Sequence, residues 1–182
     1  MSYTDQMAVL ADSTDRRVQA LYARLVAGEL TEEQFVVLAS AVLAQDESRA
    51  VSMADAALAA TLTVAAGGRR IVSPRGLLPD EAVGDVRQAH PLASVIREAL
   101  ADPDPPTQLQ VNVRDRVLDT AQTAYGHAMR EQGVTSWTRQ LNTGACELCQ
   151  DLAGDTLPAS ADMYRHKGCG CSQKPVTTKE NP

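Results

Sequence analysis

From Thr31 to Ala66 the chain contains neither proline nor glycine, and this run limits the possible folds more than any other feature. Its start is well marked. Thr31 can cap a helix and Gln34 can reach back to it, while Leu30 and Phe35 stand where a hydrophobic staple closes the entry. Phe35, Leu38, Val42, Leu58, Leu62 and Ala65 fall on or near one face, and Gly67-Gly68 supplies the stop. The pattern predicts a helix of about 35 residues, roughly 50 Å long at 1.5 Å per residue. A strut of that length belongs in a helical bundle or a coiled coil.

The flanking segments read the same way. Val18, Leu21, Tyr22 and Leu25 predict a helix over about 13–27, ended by Gly28. Residues 67–79 read as a loop. Helical pattern resumes at Asp80, breaks at Pro91 and runs on to Leu100. Asp102-Pro103-Asp104-Pro105-Pro106 reads as a linker. A further helix is expected from Val111 to Gln132, and strands over 134–141 and 175–178. The fold class is therefore mainly α, a long-helix bundle followed by a small α+β or β-hairpin module.

Composition supports that division. Only 3 % of the 182 residues are aromatic, so a core must rest on Ala, Val and Leu, which suits close-packed helices. The formal charge is -6, unlike the basic balance of a protein that coats nucleic acid. Residues 1–105 hold 9 basic and 15 acidic side chains, and residues 106–182 hold 8 of each. All four cysteines lie beyond Gly144. Three parts follow: an acidic Ala-rich helical region (1–105), a connecting helix (106–133) and a Cys/His tail (134–182). No apolar stretch reaches membrane-spanning length, and the first residues lack a secretion pattern, so a soluble intracellular protein is expected.

The chemistry lies in the tail. Cys146-x-x-Cys149 is followed by His166-x-x-Cys169-x-Cys171, placing five soft or borderline ligands within 26 residues. Zinc takes four nitrogen or sulfur ligands in a tetrahedron. A C-x-x-C turn turns two thiolates to one side, and H-x-x-C can form a second knuckle. Gly144, Gly168 and Gly170 suit tight backbone, and Arg165 and Lys167 can offset thiolate charge. The favoured ligands are Cys146, Cys149, His166 and Cys169, with Cys171 as an alternative to His166. Four protein ligands leave no place for substrate, which makes the zinc structural. Two disulfides are the competing reading. Trp137 is expected to provide the tail with most of its apolar core.

Other features are weaker. His90 and Ser94, with Asp85 nearby, stand at triad-like spacing without an oxyanion feature. His127 reads as a packed helix residue. Arg69, Arg70 and Arg75 form a basic loop suited to a phosphate backbone, an acidic partner or solvent. No phosphate-cradling glycine loop, H-E-x-x-H or paired-carboxylate motif occurs. No catalytic residue and no organic cofactor is assigned.

The segment SWTRQLNTGACELCQDLAGDTLP…YRHKGCGCSQKPV, with Leu152-Ala153-Gly154 after the C-x-x-C, resembles the C-terminal signature of Mu F-like phage head morphogenesis proteins of the short actinobacteriophage type. The likeness covers about 40 residues. The family's H-P-x-C stands here as His166-Lys167-Gly168-Cys169. The resemblance implies a minor capsid protein of a tailed phage. It would act in procapsid assembly at the portal or the inner capsid surface, in the virion and, during assembly, in the host cytoplasm. Portal and major capsid protein are the implied partners, and self-association through the long helix is a further expectation. Two other readings compete. One is a capsid maturation protease or zinc hydrolase. The other is a zinc module touching packaged DNA through Arg165, Lys167, Lys174 and Lys179.

Overall fold

The computed structural model describes residues 2–177, the side chains of Val86 and Ala89 excepted. Thr178 and Lys179 lie outside them. Five helices precede any strand: α1 (Tyr3–Val26), α2 (Glu32–Ala65), α3 (Pro79–Ala89), α4 (Leu92–Leu100) and α5 (Pro105–Glu131). The tail then forms β1 (Ser136–Gln140), α6 (Glu147–Asp151), β2 (Thr156–Pro158) and β3 (Ser172–Pro175). The protein is mainly helical with a small antiparallel sheet, as the sequence pattern implies.

The long helix has the expected start. The Thr31 hydroxyl accepts from the Gln34 N–H at 3.2 Å, and the Gln34 amide oxygen accepts from the Thr31 N–H at 2.9 Å. Two other helices are longer than expected. α1 begins at Tyr3 rather than near Ser13, because Ser2 and Asp5 form a second reciprocal cap. That bond to the Ser2 backbone holds the Asp5 carboxyl below its ordinary pKa. α5 begins at Pro105 rather than Val111. The Pro-rich stretch expected as a linker places Pro105 and Pro106 in the first helical turn, where a missing N–H costs nothing.

These extra turns change how α2 is covered. Its buried face includes Phe35, Val36, Ala39, Leu43, Ala50, Val51, Ala54, Leu58 and Ala59, packed between α1 and α5. Leu38, expected on that face, is exposed. One cluster joins Met7, Ala11 and Val18 of α1 to Val113, Val117 and Ala121 of α5 through α2. A second joins Val51 and Leu58 of α2 to Tyr125, Ala128 and Met129 of α5. Alanines at the contacts let the helix axes approach closely.

Charges are buried between these layers. Glu47, fully buried, accepts from Arg116 Nε at 2.5 Å and from Arg87 Nε at 2.8 Å. Asp46 accepts from Thr14, Arg17 and Arg49. Asp55 accepts from the backbone N–H groups of Arg75, Gly76 and Leu77 and so ties the 67–78 loop to α2. Each carboxylate is paired or multiply hydrogen-bonded, as burial requires.

The sheet order is β2-β1-β3, antiparallel throughout. β1 alternates, with Trp137 and Arg139 buried on one face. Trp137 does not build a separate tail core, as the sequence suggested. It joins the second helical cluster, with Ala124, Ala128 and Met129 of α5. Gly133, in the left-handed region at φ 72, makes the reversal that allows this.

Candidate metal centre

The C-x-x-C segment folds as a short helix. Cys146 is the N-cap of α6, and Cys149 lies within it. The backbone N–H of Cys149 turns toward the Cys146 sulfur and lowers the pKa of that exposed thiol, with a further contribution from His166. Cys149 is buried, and burial pushes its thiol pKa well up, reinforced by hydrogen bonds with Cys169 and Cys171.

The second knuckle comes from 166–171. Gly168 at φ 76 permits the turn, and the Cys169 N–H closes it on the His166 carbonyl at 3.0 Å. His166 Nε2 lies 3.1 Å from Cys146 Sγ and 3.6 Å from Cys149 Sγ, and Cys149 Sγ lies 3.6 Å from Cys169 Sγ. The His166 Nδ1 is 3.0 Å from the Lys167 carbonyl. With the proton on Nδ1, that bond leaves the Nε2 lone pair for a metal. Two donor triads result: Cys146, Cys149 and His166, and Cys149, Cys169 and Cys171, each with its ligand atoms within 4.8 Å of one another. Cys149 belongs to both. The four cysteines are unbridged, so the disulfide reading has no support in the geometry. This group can hold a metal ion.

The helical body grips the site. On α5, the Gln122 amide donates to the carbonyls of Cys169 at 2.6 Å and Cys171 at 2.7 Å. Asp115 accepts from the Gly168 N–H at 2.8 Å and from Arg165 at 3.0 Å, and Asp119 pairs with Arg165 at 2.7 Å. Burial raises the Asp119 pKa even though Arg165 opposes it. Lys167 donates to Asn112 at 2.7 Å. From the sheet, Arg139 approaches Cys149 Sγ at 3.8 Å and donates to the Tyr164 carbonyl at 2.5 Å. Cys171 donates to Asn142 Oδ1 at 3.2 Å.

Sequence reasoning named every donor but missed these supports. Asn112, Asp115, Asp119 and Gln122 recur at helical spacing opposite the apolar stripe of α5. That polar stripe was the available signal. Arg165 and Lys167, expected to offset thiolate charge, instead fasten the knuckle to α5. The other candidates stay apart from the site or idle beside it. His90, Ser94 and Asp85 are all exposed, and no hydrogen bond joins them among the described residues. His127 is half-buried beside Arg75 and Glu131. A cleft of about 440 Å³ lies between α4, α5 and the knuckle, reaching His90, Glu98, Arg116 and His166. No helix is long and apolar enough to cross a membrane among the described residues. No protein-family model, curated protein or solved structure matches the chain.

Proposed function

We propose that this chain is a structural assembly protein whose tail is stapled to a helical body by one zinc ion, and that it serves in the head of a tailed phage. The observation that carries the structural reading is the donor set: two triads, Cys146, Cys149 and His166, and Cys149, Cys169 and Cys171, share Cys149, and a tetrahedral zinc takes four such donors. With four of these donors on one zinc, protein atoms would fill the coordination sphere and leave no position for the water or substrate a hydrolase requires. Cys146, Cys149, His166 and Cys169 are the ligands this reading assigns. The 3.6 Å separations from Cys149 to His166 and to Cys169 lie near the edge of a tetrahedron with 2.3 Å bonds, about 3.8 Å, while Cys169, which groups within 4.8 Å with Cys149 and Cys171 and not with Cys146 or His166, would close in on these two when the metal binds. Cys171, whose thiol donates to Asn142, is then the reserve donor. The phage assignment rests on the tail's resemblance to Mu F-like proteins, with portal and major capsid protein as partners.

Metal analysis of the purified chain tests the first half, with one zinc per chain expected and a metal-free, disulfide-bonded tail counting against it. Co-expression with portal and major capsid protein tests the second. The chain should co-purify with procapsids. If it does not, or if it cleaves the capsid subunit, the assembly role is wrong.

A further inference from the structure

The two ends of α2 carry exposed apolar side chains beside charges of opposite sign. At its start, Leu30, Glu33, Gln34, Val37 and Leu38 line an open hollow of about 360 Å³. Val37 is 59 % exposed and Leu38 40 %, with Val26, 70 % exposed, at the end of the neighbouring α1. The surround is acidic: Glu29, Glu32 and Glu33 are all exposed. Arg24 and Arg97 pair with Glu29 and Glu33 at 3.2 and 3.3 Å, in exposed bridges worth little and easily exchanged. Glu32 has no ion-pair partner among the described residues.

The far end of α2 has the opposite character. From Ala56 to Pro79 there is no acidic residue, while Arg69, Arg70 and Arg75 stand together. Arg69 and Arg70 are exposed without an ion-pair partner among the described residues. Next to them Ile71 projects, 82 % exposed, with Val64 at 77 %. This projection is held in place. The Val72 N–H donates to Thr63 Oγ1 at 2.9 Å, and Asp55 anchors the backbone at Arg75 and Gly76. An isoleucine held out on a tethered loop costs little entropy to dock.

We infer that the chain associates head to tail with a second copy of itself, Ile71 entering the Leu30–Leu38 hollow while Arg69 and Arg70 meet Glu29, Glu32 and Glu33. A knob and a hollow on different parts of one molecule make a heterologous contact, which closes into a ring or runs on as a chain. The two features lie at opposite ends of a helix roughly 50 Å long, so one copy cannot satisfy both. The contact is small beside the roughly 1,200–2,000 Å² of a stable interface. It is therefore weak, concentration-dependent and loosened by salt. This goes beyond the proposed zinc staple and head role, and stands without either.

The test is sedimentation equilibrium of the full chain at high concentration and low ionic strength. The native protein should associate beyond a dimer, and added salt should reverse this. Ile71→Asp and Val37→Asp, both at exposed positions that leave far-UV circular dichroism unchanged, should each be monomeric. Mixed together they should form a one-to-one dimer and nothing larger, since one supplies the intact knob and the other the intact hollow. A monomeric native protein overturns the inference. So does association that Ile71→Asp leaves untouched, which would mean a two-fold contact through the hollow alone. Either failure leaves the metal content and the fold unaffected, so it is distinguishable from failure of the zinc reading.

Discussion

Cys149 is the residue on which the metal site turns, because both donor triads include it. Cys149→Ser should abolish stoichiometric zinc binding, whereas Cys171→Ser should retain it, as chelator-competition titration would show. Equal loss in the two variants would mean that Cys171 is a ligand. Protonation gives a second expectation. Burial raises the Cys149 pKa above the ordinary thiol value, so the metal-free chain keeps this proton at neutral pH. Zinc must displace it, and affinity therefore falls as pH falls. Calorimetry in two buffers of different ionisation enthalpy should show proton release on zinc binding, and no buffer dependence would refute it. Gln122 holds two carbonyls of the knuckle. Supports of this kind are worth about 10–100-fold in metal affinity, and Gln122→Ala should lose that much. The donors were legible because Cys and His at knuckle spacing have few other uses. Gln122 was not, since a glutamine on a helix face signals nothing until the fold brings carbonyls to it.

At the scale of elements, what could be read depended on how local the signal was. The start of α2 was legible because Thr31 and Gln34 satisfy each other within one turn. The same device at Ser2 and Asp5 precedes the apolar stripe, so the stripe alone places the start of α1 ten residues late. Pro105 and Pro106 fit a linker and a first helical turn equally well in isolation. Packing against α1 decides between them, and packing is not local. Trp137 shows the same limit. A tail poor in apolar residues called for its own core, yet strand alternation sends this side chain into the helical cluster. Trp137→Ala should therefore destabilise the whole protein, by about 3–5 kcal/mol as for other large core truncations. Urea unfolding followed at the helical circular dichroism band measures this. A loss confined to the tail, with the helical midpoint unmoved, would return Trp137 to a local role.

For the whole molecule the question is whether metal and helices fold as one unit. α5 answers it structurally. Its apolar face belongs to both clusters, and its polar face holds the knuckle through Asp115, Asp119 and Gln122. A single helix thus joins the donor cluster to the core of the bundle. The tail has few apolar contacts of its own beyond the thiols, with Ala145 against Cys149, Cys169 and Cys171, so under the proposed zinc staple its order should depend on the metal and on α5 together. A ligand that binds only the folded state stabilises it by RT ln(1 + [L]/Kd), about 4 kcal/mol at a thousandfold excess over Kd. Zinc should add stability of that order to the bundle as well as to the tail. Stripping the metal with a chelator, under reducing conditions, should lower the temperature of one cooperative helical transition, and returning zinc should restore it. Differential scanning calorimetry beside far-UV circular dichroism is the measurement. Two separate transitions, with the helical one indifferent to zinc, would show that the tail merely leans on α5. One transition moving with the metal would show that the staple spans the molecule.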